Sequence, residues 1–359
     1  MPRQNTALAA LLLAATALTA GPASAADQPS GQPADATALL TELRELYREA
    51  GAATEAYNEA GERLAEQRAE LERLTARLAD TRGALAGARR TAGRLAAAEY
   101  RHGGAPELPP VLRLLLTDEE PARALHHTTV ARRAAAGHLA EVRRLAEAER
   151  TADTLANEAE QAWEEERRLV EEERARRDDA HDRMNEVAGL LAGLTEEQLT
   201  GVTALEERET AERQAEFLAA HEPAEEPDDE PPDEPDDEPD DAGGAPGERA
   251  VRWALDQRGK PYEAGAEGPA AFDPAGLALR AWEHVGVTVP RTSARSWELL
   301  PRVPLDQLRP GDLVIYHEDA SHTALYAGDG TVVHPPAPGR EVTVTPLAHA
   351  PVKGAVRPG

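Results

Sequence analysis

The chain has 359 residues, no cysteine, and a formal charge of −27 from 39 basic and 66 acidic side chains. The missing cysteine excludes disulfides and a thiol nucleophile, and no basic stripe is present to bind nucleic acid. The acidity is uneven: residues 222–247 hold 13 acidic and no basic groups, whereas residues 248–359 hold 12 basic and 13 acidic groups.

At the start, Arg3 precedes an apolar run over 7–18, and Ala23-Ser24-Ala25 closes it. A short basic region, a brief apolar stretch and an A-x-A ending predict a secretory signal peptide over residues 1–25, hence a secreted, extracellular product. No later stretch is apolar enough to span a membrane once the signal is removed. Residues 35–101 then read as one helix rich in Ala, Glu, Arg and Leu, with Leu64, Leu71, Leu78 and Leu85 seven apart. The second seam, Gln67, Leu74 and Thr81, is only partly apolar. His102-Gly103-Gly104 stops this helix. A compact tip near 103–121 carries Leu112, Leu114, Leu115 and Leu116, which either bury one another or contact a partner.

A second helical region follows from about 122 to 220, with Leu139, Val142 and Leu145 at i, i+3 and i+6 and a bend expected near Gly189 and Gly193. The pair predicts a coiled-coil hairpin over 35–221, with a dimer through the same seams as the other solution. Residues 222–247 repeat Pro with Asp and Glu. Like charges repel, proline disfavours helix and almost nothing can be buried, so an extended, solvated linker is expected rather than a calcium site.

From residue 248 onward seven of the twelve aromatic residues appear, enough with the aliphatics for one core. A helix is predicted over 250–257 and another from near Phe272-Asp273-Pro274. Strands are predicted at 313–316, 322–326, 331–334 and 341–345, with Asp329-Gly330 as a hairpin turn. Helices followed by a small antiparallel sheet give an α+β domain. Trp253, Trp282 and Trp297 are expected in its core, and His284 and His317 on its surface.

Seven blocks in this domain are Gly259-Lys260-Pro261-Tyr262, Phe272-Asp273, Gly276-Leu277, Pro290-Arg291-Thr292-Ser293, Leu308-Arg309-Pro310-Gly311-Asp312-Leu313, Ser321-His322 and Val333-His334-Pro335. In order and spacing they resemble the NlpC/P60 family of papain-like endopeptidases, which cut peptide bonds in the peptidoglycan stem. The upstream part resembles, more loosely, the coiled coils that precede such domains in secreted proteins of Gram-positive bacteria. The resemblance implies a papain-like fold and a site at three positions: a Cys in Phe-Asp-Cys-Ser-Gly, a His, and a third polar residue twelve further on. In this chain those positions hold Pro274, His322 and His334, with Ala275 where the family often has Ser and Thr323-Ala324 where it has Val-Gly.

Proline offers no nucleophilic atom, so the family's covalent mechanism is closed. Asp273-Pro274 is nevertheless a good helix start, an N-cap followed by a proline at the first helical position. The expectation is therefore a retained scaffold without catalysis. It would bind peptidoglycan stem peptide, or regulate a partner wall hydrolase, through Tyr262, Asp273, His322 and His334. Tyr262 reads equally as a core tyrosine. His322 and His334 alone make a weak zinc site, so no metal or cofactor is expected. Two other functions stay open: an endopeptidase working by an unrecognised mechanism, and a coiled-coil activator or scaffold for another wall enzyme.

Overall fold

A computed structural model of the chain describes residues 33–101, 121–221 and 244–359. The expected signal peptide, the leucine-rich tip and the acidic stretch over 222–243 lie outside them. Helix α1 (Pro33–Arg101) and helix α2 (Pro121–Gly193) pack antiparallel. Their order is fixed by ion pairs whose partners run in opposite directions along the two helices: Arg183–Glu49, Arg63–Glu172, Arg68–Glu166 and Arg89–Glu149. These exposed pairs set register more than they add stability.

Between them runs an aliphatic seam. Leu64, Leu74, Leu78 and Leu85 of α1 are buried, and on α2 the buried positions are Ala152, Leu155, Ala162 and Leu169. The polar gap at Gln67 is answered by a hydrogen bond from its Nε2 to the carbonyl of Ala162, 2.8 Å away. The expected seam at Leu139 and Val142 is displaced: both side chains lie out in solvent, 60% and 66% exposed. Leu145, the third position of that spacing, is half-buried.

The expected bend is a break. After Gly193 the helix stops, and Thr195 caps helix α3 (Glu196–Ala220) through a capping box with Gln198. At the junction Leu40, Leu43 and Ala50 of α1 pack with Val187 and Val202, so three helices share one cluster.

The C-terminal domain begins with α4 (Pro246–Leu255), α5 (Pro274–His284) and α6 (Ser293–Leu299), then turns to strands. These are β1 (Arg302–Val303), β2 (Leu313–Tyr316), β3 (His322–Gly328), β4 (Thr331–His334), β5 (Thr343–Pro346) and β6 (Val352–Val356). The sheet order is β1-β6-β2-β3-β4-β5 and every pairing is antiparallel. Asp329 and Gly330 both take positive φ in the β3–β4 turn, the hairpin geometry that their pairing predicts. Strands β1 and β6 and helix α6 are additions to the elements read from sequence. Trp282 is buried in the core between sheet and helices, while Trp253 and Trp297 pack partly exposed against it. The opposite sheet face, Val314, Tyr316, Ala324 and Val332, is covered in part by Phe217 of α3.

Candidate functional site

The position where the resembled family has its nucleophile is the first residue of α5. Asp273 caps this helix by accepting the amide of Gly276 at 2.6 Å, and Pro274 follows at a place where no intrahelical donor is needed. Asp273 is fully buried and its carboxylate is saturated. Arg291 donates to both oxygens at 3.1 and 2.6 Å, and Asn58 of α1 donates at 3.1 Å. Arg291 also pairs with Glu267 at 2.7 Å. The Asp273–Arg291 pair therefore joins the start of α5 to the segment before α6. Asp312 has a like role, binding Arg357 and the amide of Arg309.

On the sheet, Leu325 of β3 pairs with Val333 of β4. That register puts His334 opposite Ala324, two residues along from His322, so both imidazoles project from one face. They meet directly: His322 Nε2 lies 2.6 Å from His334 Nδ1. The other nitrogen of His334 contacts the Thr345 hydroxyl at 2.8 Å. A third ring, His349, packs against them at an angle, its centroid 4.5 Å from that of His334 and 6.1 Å from that of His322. Burial holds the His322 and His334 pKa values well below the ordinary histidine range and lowers that of His349 to about 4. At neutral pH these are neutral imidazoles, poor proton acceptors with no thiol to act on.

Helix α1 lies across this site. Thr54 Oγ1 is 2.8 Å from the Tyr262 hydroxyl, Asn58 reaches Asp273, and Glu55 accepts both the amide and the hydroxyl of Ser293 at 2.7 and 3.0 Å. Gly51 allows the approach: a Cβ there would stand 3.1 Å from the carbonyl oxygen of Ser321. Arg48 adds an ion pair with Asp319 at 3.0 Å. Burial raises the Tyr262 pKa further, and burial together with the nearby Asp273 charge pushes Glu55 up to about 8. From the other side α3 clamps the domain, with Arg213 donating to the carbonyls of Ala348 and His349 and Gln214 bonding Gly330 and Ala348.

Between α1, α3 and the domain a cavity of about 1640 Å³ remains, lined by Tyr47, Arg48, His317, His322, Arg340 and His349 among others. Of the four residues expected to bind ligand, Tyr262 and His322 reach this cavity, Asp273 is sealed beneath α1, and His334 lies behind His322. His317, expected on the surface, is half-buried and lines the cavity. Sequence reasoning missed His349, which stands in no motif block, and it missed the α1 residues, which no local pattern ties to a domain some 200 positions away.

Residues 259–356 match the NlpC/P60 family model. A probable endopeptidase of Mycobacterium tuberculosis is 39% identical over 106 residues, 29% of this chain and 28% of that protein. A probable endopeptidase of Corynebacterium glutamicum is 36% identical over 111 residues, 31% of this chain and 53% of that one. The peptidoglycan endopeptidase RipA of M. tuberculosis is 32% identical over 117 residues, 29% of this chain and 25% of its own. The matched stretch thus spans at most about half the length of these relatives. The C-terminal domain is an NlpC/P60 domain that lacks the family's cysteine.

Proposed function

We propose, taking the C-terminal region as a degenerate NlpC/P60 domain, that this protein is a secreted, wall-associated pseudoenzyme that binds peptidoglycan stem peptide without cleaving it. One observation carries the reading. The nucleophile position is occupied by a proline built into the start of α5, with Asp273 and Arg291 locked around it. The place that would hold a reactive thiolate is thereby a rigid helix start, and the His322 and His334 imidazoles bond each other. Losing the nucleophile of such a unit removes catalysis by many orders of magnitude.

The cavity beneath α1 supports binding. Its wall mixes arginines (Arg44, Arg48, Arg340) with glutamates (Glu45, Glu206), which suits a peptide bearing both carboxylates and an amine. The wall setting is argued from the relatives, one of which is named a peptidoglycan endopeptidase, and from the signal-peptide pattern at residues 1–25. Among the described residues no helix is long and apolar enough to cross a membrane.

Calorimetric titration of a defined stem tripeptide into the full chain, with mass spectrometry of the same mixture, tests the proposal. Saturable binding that weakens in Arg340→Ala, with intact peptide recovered, is expected. Cleavage that disappears in His322→Ala would overturn the non-catalytic reading, and absence of binding at millimolar peptide would overturn the recognition reading.

A further inference from the structure

Three imidazoles from three separate elements converge behind the cavity: His322 from β3, His334 from β4, and His349 from the turn between β5 and β6. One ring nitrogen of each lies within 4.8 Å of the other two. Burial desolvates these ring nitrogens, and an ion in the shared space would satisfy the ones that face one another. Two of the outward nitrogens make direct contacts. His334 Nε2 faces the Thr345 hydroxyl at 2.8 Å, and His349 Nδ1 faces the carbonyl of Pro346 at 3.2 Å.

The carbonyl contact fixes the His349 tautomer, and the hydroxyl contact, which can run either way, is compatible with a metal-binding tautomer of His334. A carbonyl accepts only, so His349 Nδ1 carries the proton and its Nε2 keeps a lone pair. If His334 Nε2–H donates to Thr345, its Nδ1 also keeps a lone pair, and that atom faces His322 Nε2. An imidazole whose far nitrogen donates to a carbonyl or hydroxyl is the usual arrangement for a metal-bound histidine. Metal binding replaces the His322–His334 hydrogen bond, moving the His322 proton from Nε2 to Nδ1, and draws the three nitrogens, now within 4.8 Å of one another, onto one ion. Two nitrogens on a tetrahedral zinc ion at Zn–N of about 2.05 Å stand about 3.3 Å apart, against 2.6 Å here. Opening that gap takes roughly 0.7 Å shared between two side chains, well within rotamer adjustment.

We propose that His322, His334 and His349 form a three-histidine site for a divalent ion of the zinc type, with its fourth position open toward the cavity. All three donors are nitrogens, which suits zinc and its late first-row neighbours over calcium or magnesium. Three protein ligands and one open position form a site that holds water or an anion rather than a closed structural site. His322 and His349 line the cavity and supply that opening. Arg213, which binds the carbonyls of Ala348 and His349, brings a positive charge near the ion and favours an anionic fourth ligand such as a carboxylate. The site goes beyond the peptide-binding proposal and stands whether or not stem peptide binds.

The test uses the full chain stripped of metal and titrated with Co²⁺ alone, followed by Zn²⁺ competition. One cobalt per chain, with the visible absorption of a tetrahedral nitrogen-rich site, is expected. That signal should vanish in His322→Ala and His349→Ala and persist in His317→Ala, which alters the cavity wall only. Thr345→Val keeps all three ligands and should weaken binding about 10- to 100-fold by removing the partner of His334. Circular dichroism identifies any variant that does not fold, in which case Thr345→Val and the location of the anomalous peak at the zinc edge in crystals of the unmodified chain decide. A peak between the three rings sustains the site. No stoichiometric cobalt signal, a signal that survives in folded His349→Ala, or a peak elsewhere overturns it.

Discussion

Glu55, midway along α1, receives both the backbone amide and the hydroxyl of Ser293, at 2.7 and 3.0 Å, where α6 begins. The contact joins residues 238 positions apart, and it lies at the centre of the patch that seats the coiled hairpin on the C-terminal domain.

That patch is pH-dependent. Burial, then the Asp273 charge, raises Glu55 to about 8 when docked, against 4.5 when free. A raised acid binds its proton more tightly in the docked state, so its contribution is complete below about pH 4.5 and is lost as pH rises through about 8. Amide hydrogen exchange over residues 50–58 should accelerate by at least tenfold between pH 5 and 8.5, after correction for intrinsic exchange. In Glu55→Gln, which keeps an acceptor and a donor toward Ser293, the corrected rates should be flat. A flat profile in the unmodified chain would refute the assignment.

Gly51 sets how close α1 comes. A leucine there would drive into the Ser321 carbonyl, with a Cβ 3.1 Å from the oxygen and larger atoms beyond. Gly51→Leu should lift α1 from the groove while the domain core keeps its thermal transition. Limited proteolysis along 45–60 reads the lift; protection equal to that of the unmodified chain would show the approach to be looser than described.

Arg291→Ala should cost about 3–5 kcal/mol, because it leaves the Asp273 carboxylate buried without its main partner. Both residues are nearly or wholly inaccessible, at 7% and 0% side-chain exposure. Denaturant unfolding of the domain transition measures it. A loss under 1 kcal/mol would mean that Asn58 and Gly276 suffice.

Leu155→Ala, in the buried seam at 4% exposure, should destabilise the hairpin by about 2–3 kcal/mol, whereas Leu139→Ala, 60% exposed, should change it by less than about 0.5 kcal/mol. Thermal melts followed at the helical signal distinguish the two. Equal losses would place Leu139 in an interface with another molecule.

What was legible in the sequence was short-range. Asp273-Pro274 announces a helix start because cap and proline act within one turn, and Asp329-Gly330 announces a hairpin because both residues accept positive φ. The strands at 313–316 and 331–334 are bounded by turn residues and apolar, and they form where expected. Strand β6 escaped notice because Lys353 and Gly354 interrupt its apolar pattern and its stability comes from β2 alongside it. The seam on α2 was misplaced because spacing alone does not tell which face has a neighbour, and alanines at 152 and 162 are silent as a signal. His349 and the docking face of α1 were illegible for a deeper reason. Their partners lie in other elements, and only the folded topology brings them within hydrogen-bond reach.

Helix α1 is also a machine part. Its docking residues end at Glu66, which pairs with Arg295 at 4.0 Å, and the helix continues to Arg101, a further 35 residues or about 53 Å at 1.5 Å rise. A sideways push on the distant end therefore acts through a long moment arm about a fulcrum at Gly51 and Thr54. The leverage multiplies a small force into prying at the groove, against a handful of hydrogen bonds and two ion pairs, Arg48–Asp319 and Arg295–Glu66. Whatever grips the far end of the hairpin holds the crowbar for the cavity beneath it.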